Sequence, residues 1–214
     1  MQILTGRVRL VELPIDIECV KGFMDADEGA ALYDAALRES VNGPVLEVGT
    51  YCGKSAIYLG TACKKNASVL FAVDHHRGSE ENQPGWEHHD PETWDTAVGA
   101  MDTLPFLRRN LHAAGLEDVV IPVVGKSHLV ARNWGKPLAM LFIDGGHSRE
   151  MAQGDYNGWT PHVAEKGLLA IHDVFPNPDD GGRPPYEIYC QALESSNYVE
   201  EGAVKSLRLL RRIK

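Results

Sequence analysis

Val45 to Ser55, VLEVGTYCGKS, decides how the rest of the chain is read. Val45, Leu46 and Val48, following Pro44, make a short buried strand, and the run then breaks into a loop carrying Gly49 and Gly53. Ser55 to Cys63, SAIYLGTAC, reads as the helix that follows. A glycine-bearing turn between a parallel strand and a helix lets the backbone approach a ligand and aims free N–H groups at it. Dinucleotide turns space their glycines as GxGxxG so that a pyrophosphate can sit on the helix N-terminus. Here the pattern is ExGxxxG, with the Glu47 carboxylate where a phosphate would be repelled. That favours a ligand with a positive centre.

Working outward, four more apolar runs read as strands. Ser68 to Val73 (SVLFAV) ends on Asp74, and Val119 to Val124 (VVIPVV) ends in Gly125, Lys126 and Ser127. Leu138 to Ile143 (LAMLFI) runs into Asp144, Gly145, Gly146 and His147, while Leu168 to Ile171 (LLAI) ends on His172 and Asp173. Helices fall between them, around Arg149 to Trp159 and Tyr186 to Ser195, with Thr96 to Gly115 read as a helix interrupted near Pro105. Strand and helix in alternation point to a parallel sheet, and Asp144 and Asp173 then end neighbouring strands where their carboxylates converge. Before the first strand, Asp25 and Asp27 cap a helix with Ala31, Leu32, Ala35 and Leu37 on its apolar face. Residues 1–41 thus form an N-terminal helical cap that packs on the fold or covers its site. Tyr198 to Arg211 reads as an edge hairpin.

EVGTYCGKS (47–55), AVDHHRGS (72–79), VVGKS (123–127), LFIDGGHS (141–148) and LLAIHDV (168–174) stand in an order and spacing that resembles a class I S-adenosylmethionine-dependent methyltransferase. The likeness is to the small O-methyltransferase branch that includes catechol-type and sugar enzymes. It implies a Rossmann-like three-layer α/β sandwich, with a mostly parallel sheet, helices on both faces and an antiparallel C-terminal edge. It also implies that S-adenosyl-L-methionine is held by Glu47, Gly49, Gly53, Ser55, Asp74, His75, Ser127 and Asp144. Asp74 at a strand end can accept both ribose hydroxyls or cap its own loop, and Ser127 either meets the adenine or caps a helix. Catechol-type enzymes place metal ligands at the two later strand ends, which maps them to Asp144, His172 and Asp173. Their catalytic lysine maps to His147, an imidazole suited to general base work near neutral pH. Asp144 is the second catalytic candidate.

Two carboxylates with open positions suit Mg²⁺, whereas the His172 imidazole leaves room for Mn²⁺; a metal-free site in which the carboxylates orient the ligands is the other reading. The polar stretch His75 to Asp95 is long for a loop in a compact domain and reads as a substrate lid. Trp rings stack on sugar or aromatic faces and His and Glu bond hydroxyls, so His76, Glu80, Trp86 and His88 are the substrate candidates, with Tyr186 from the later helix. The Pro- and Gly-rich loop Val174 to Pro185 adds Asp179, Asp180 and Arg183 as polar residues that can border the pocket.

The chain has 214 residues and a formal charge of −9, which argues for one domain with a sizeable core and against a nucleic-acid surface. Four cysteines without a CxxC pair, no basic-then-apolar leader and no long apolar run predict a reduced, cytoplasmic protein with no membrane span. The activity expected is methylation of a hydroxyl on a sugar, glycoside or polysaccharide precursor, with a catechol or other small natural product as the alternative acceptor. From other classes, a metal-dependent hydrolase built on Asp144, His147, His172 and Asp173, or a nucleotide-binding oxidoreductase, competes. A homodimer is the expected assembly.

Overall fold

The computed structural model describes residues 11–86 and 88–214. The first ten residues of the expected cap and Glu87 of the lid lie outside them. The cap helix α1 (Ala26–Glu39) starts at Asp25, whose carboxylate accepts from the Asp27 N–H at 2.8 Å. It is followed by β1 (Val45–Val48), α2 (Lys54–Lys65), β2 (Leu70–Asp74), a short hairpin of β3 (Trp94–Asp95) and β4 (Ala100–Met101), and α3 (Leu104–Ala113). Then come β5 (Val120–Val124), α4 (Ser127–Arg132), β6 (Leu138–Ile143), α5 (Arg149–Trp159), β7 (Val163–Ile171), α6 (Arg183–Glu194), β8 (Tyr198–Val204) and β9 (Leu207–Arg212).

Seven strands form one sheet in the order β5-β2-β1-β6-β7-β9-β8. The first five are parallel, and β9 and β8 close the edge antiparallel. Strand period two sorts the core into two layers. Val45, Leu70, Met140, Phe142 and Leu168 face α1, α2 and α3, whereas Leu46, Val73, Leu141, Ile143 and Leu169 face α4, α5 and α6. The sequence runs away from β1 in both directions, through β2 to β5 and through β6 to β7. A crevice therefore opens outside the carboxyl ends of β1 and β6, the switch point where open α/β sheets bind ligands. Gly49 makes that crevice possible: it sits at φ +90°, and a Cβ there would collide with the Asp144 carbonyl, so only glycine lets the loops after β1 and β6 touch.

Several expectations change: β7 begins at Val163, well before Leu168, and α6 begins at Arg183. Pro105 does not interrupt a helix but opens α3 at its first turn, where its missing N–H costs nothing, and Thr96 to Met101 is turn and strand instead. Ser127 does not cap α4; it is the first helical residue, after Lys126. No helix among the described residues is long and apolar enough to cross a membrane. All four cysteines are unpaired.

Candidate active site

A cavity of about 1300 Å³ lies along the carboxyl ends of β1, β2, β5, β6 and β7. Backbone bonds carry the sheet ladder past the strand ends and set where the loops begin: Gly49 N to Val73 O, 3.0 Å; Asp144 N to Val48 O, 2.9 Å; His172 N to Ile143 O, 3.1 Å. Three residues just beyond β1, β2 and β7 are held left-handed without being glycine, namely Tyr51 (φ 51°), His76 (φ 57°) and Asp173 (φ 55°). Such backbone is sparsely populated for L-residues and each instance stores of order 1 kcal/mol or more.

On the β1, β2 and β5 side, Gly49, Ser55, Asp74, His75 and Ser127 line the cavity. Each Asp74 carboxylate oxygen already accepts a backbone N–H, from Tyr51 at 2.8 Å and His76 at 2.7 Å, so the residue braces both loops while facing the cavity. Ser127 Oγ accepts from the Trp159 indole at 2.7 Å. Beside it Asp155 from α5, which sequence reading passed over, also lines the cavity; burial pushes its carboxyl up to about 6, against the Ser127 hydrogen bond.

Glu47, Gly53, His76 and Tyr186 lie off the cavity, as do Asp179 and Arg183, whereas Asp180 lines it. Glu47 has the strand parity of Val45, so its side chain enters the α2 face, where it is fully buried and accepts from the Ser55 hydroxyl. Burial pushes that carboxyl up to about 8, and its other oxygen has no partner. Glu47 is therefore not among the residues that line the cavity. Gly53 faces Leu107, which a Cβ would approach to 2.6 Å at a φ of +96°. His76 is 2 % exposed, bonded to Thr103 Oγ1 at 2.7 Å, and burial lowers its pKa. Tyr186 packs with Tyr189 and under Arg183, partly buried against the core layer beneath α5 and α6. Of the lid candidates, Glu80, Trp86 and His88 do line the cavity, and the His88 ring lies 5.0 Å from Phe23, tilted by 55°, in the segment before α1. Lys21 ties this segment to the lid by bonds of 2.6 Å to Asp90 and to Glu92.

On the β6 and β7 side, Asp144, His147, His172 and Asp173 converge. His172 Nδ1 lies 3.0 Å from Asp144 Oδ1 and 3.4 Å from Asp173 Oδ2, and His147 Nε2 lies 2.9 Å from Asp173 Oδ2. The fifth member was not legible: Glu28 of α1 meets His172 Nε2 at 3.0 Å. Burial lowers the His172 pKa, but Asp144, Asp173 and Glu28 outweigh it and raise the value well above the histidine range. Burial likewise raises Asp173, yet His147 and His172 bring it far below the carboxylate range. Asp144, His172 and Asp173 each offer one ligand atom, all within 4.8 Å of one another. Two carboxylates and an imidazole are a donor set that divalent cations take, so the residues present fit a metal.

Residues 46–174 match a family model described as a methyltransferase domain. Among solved structures the chain is similar to the O-methyltransferase TomG from Streptomyces achromogenes, solved with SAM, at 16% identity over 90% of this chain and 82% of that one (TM-score 0.61). The O-methyltransferase from Bacillus cereus, solved with SAH, shares 15% identity over 90% of this chain and 83% of that one (TM-score 0.62). The O-methyltransferase NovP shares 15% over 87% and 79% (TM-score 0.65). What is shared at these identities is the fold, a Rossmann-like sheet with an antiparallel C-terminal edge.

Proposed function

The chain belongs to the methyltransferase-domain family, and on that premise we propose that it is an S-adenosylmethionine-dependent O-methyltransferase, assisted by a divalent cation. The observation that carries the reading is the convergence of Asp144, His147, His172 and Asp173 in the same cavity that Gly49, Asp74 and Ser127 line. S-adenosylmethionine, when bound, supplies a methyl group on a positively charged sulfur that an acceptor oxygen displaces. Gly49 borders the space it would fill, Asp74 offers its ribose an acceptor, and Ser127 with Asp155 borders the adenine end. A divalent cation on Asp144, His172 and Asp173, when bound, lowers the pKa of a hydroxyl it contacts.

The remaining work falls to the chain's own side chains. Asp173 accepts from His147 Nε2 and so orients the ring, whose imidazole is the chain's candidate to take the acceptor's proton. Asp173 also stabilises the imidazolium so formed. Holding the acceptor in line is worth roughly 7–11 kcal/mol of barrier, and the lid with its Lys21 tie encloses the space where that happens.

The acceptor is a hydroxyl on a sugar or glycoside, a reading supported by Glu80, Trp86 and His88 on the cavity wall. A planar aromatic acceptor is the second reading, favoured by the Phe23 ring, 65 % exposed and 5.9 Å from Tyr51. The test is calorimetry of EDTA-treated protein with S-adenosylhomocysteine, then methyl transfer to sugar and catechol panels with and without Mg²⁺ or Mn²⁺. Binding with metal-stimulated transfer supports the reading. Absence of binding with every metal present, alongside metal-dependent hydrolysis of ester substrates, would replace it with the hydrolase.

A further inference from the structure

Glu28 lies in the first turn of α1, far in sequence from every strand end, yet only 4 % of it is exposed. Its Oε1 accepts three donors from the β8–β9 turn: Ser206 N at 2.8 Å, Ser206 Oγ at 2.7 Å and Leu207 N at 3.2 Å. That commitment leaves the carboxylate no freedom to rotate, and Oε2 is aimed at His172 Nε2. An ionised carboxylate can only accept, so Nε2 carries a proton, and the lone pair of a neutral His172 ring resides on Nδ1. Nδ1 is the nitrogen that faces Asp144 and Asp173. The ring is 6 % exposed and edge-on to Phe142, so it cannot turn to offer the other nitrogen.

We propose that Glu28 is a positioning residue of the metal centre: it fixes His172 as an Nδ1 ligand, and the resulting two-carboxylate, one-imidazole set selects a Mn²⁺-like cation over Mg²⁺. The proposal rests on the metal reading of Asp144, His172 and Asp173 given above. A carboxylate behind the distal nitrogen of a ligating histidine orients the ring and raises its basicity, and loss of such a partner costs 10–100-fold in metal affinity. Magnesium prefers oxygen alone and keeps its waters, whereas imidazole suits the transition ions.

The experiment is metal titration of the EDTA-treated full chain with Mn²⁺ and with Mg²⁺, followed by pulsed electron paramagnetic resonance of bound Mn²⁺. Glu28→Gln is the informative variant: it keeps an oxygen for Ser206 and Leu207 but turns an NH₂ toward Nε2, which moves the ring proton to Nδ1. The wild type binds Mn²⁺ about tenfold or more tighter than Mg²⁺ and shows nitrogen modulation from a ligated imidazole. E28Q binds Mn²⁺ roughly 10–100-fold more weakly and loses the nitrogen modulation, while S-adenosylhomocysteine binding changes less than about twofold. If E28Q binds Mn²⁺ as the wild type does, with the modulation intact, the role of Glu28 is overturned and the metal reading stands. If the wild type binds S-adenosylhomocysteine but no divalent cation, the metal reading fails and the proposal with it. Should E28Q not fold, nitrogen-15 histidine spectra of the Zn²⁺-loaded wild type decide: metal on His172 Nδ1 with a proton on Nε2 supports the proposal, and metal on Nε2 overturns it.

Discussion

Glu28 and Glu47 are the same residue, buried to nearly the same extent, on the same face of the same sheet, and they ionise in opposite directions. Glu47 is 0 % exposed between β1 and α2, with one hydroxyl donor and no cation, and burial pushes it up to about 8. For Glu28 burial also raises the pKa, but His172 and the Ser206 donors outweigh it and the net shift is downward. Burial alone therefore does not decide the charge of a carboxyl; the partner that shares the burial does. The two halves of the cavity differ accordingly. The half beneath the glycine turn holds a carboxyl whose pKa burial raises, and the half beneath β7 a network of ion pairs.

The sharpest way to break that contrast is His172→Ala, which strands Glu28, Asp144 and Asp173 without their shared cation. Leaving buried charge uncompensated costs about 3–5 kcal/mol, read by urea unfolding at pH 7; a loss below about 1 kcal/mol would mean that Glu28 does not depend on its partner. Next comes pH. A carboxyl whose folded pKa lies above its unfolded value contributes stability that is complete below about 4.5 and fades as pH rises through about 8. Wild-type stability should decline across that window relative to Glu47→Gln, by on the order of 2–4 kcal/mol at its upper end. Parallel curves would show that Glu47 is ionised throughout. Ser206→Ala removes one of three donors to Glu28 Oε1 and should cost about 1–2 kcal/mol, with the His172 side of the network left in place. The smallest effect is expected where pairing meets water: Lys21→Met breaks two bonds on part-exposed groups and should cost about 0–1 kcal/mol. Its signature is faster proteolysis within the lid.

Much of this was legible from the chain. The apolar run Leu138 to Ile143 and the helix Arg149 to Trp159 have the bounds that the sequence suggests, because an unbroken apolar run leaves a strand little choice. Strand ends also announced where Asp144, His147, His172 and Asp173 would meet. Parity was the neglected clue for Glu47: two residues from Val45 on a strand, it had to face α2. His76 follows a similar rule: adjacent side chains at a turn part company, and of the pair His75 faces the cavity. Glu28 could not be found this way. It has the look of any acidic residue in a first helical turn, and its partner His172 is 144 positions away. Only the packing of α1 against the β7 edge joins them.

The clasp of Ser206 on Glu28 spans 178 positions of sequence, and it has a consequence for time rather than for shape. Contacts between such distant residues pay their loop-closure entropy before they return anything, and they form late. A chain leaving the ribosome can pair β1 with β2 and seat α2 long before residue 206 exists. The clasp that holds Glu28 against His172 cannot close until residue 206 has been made.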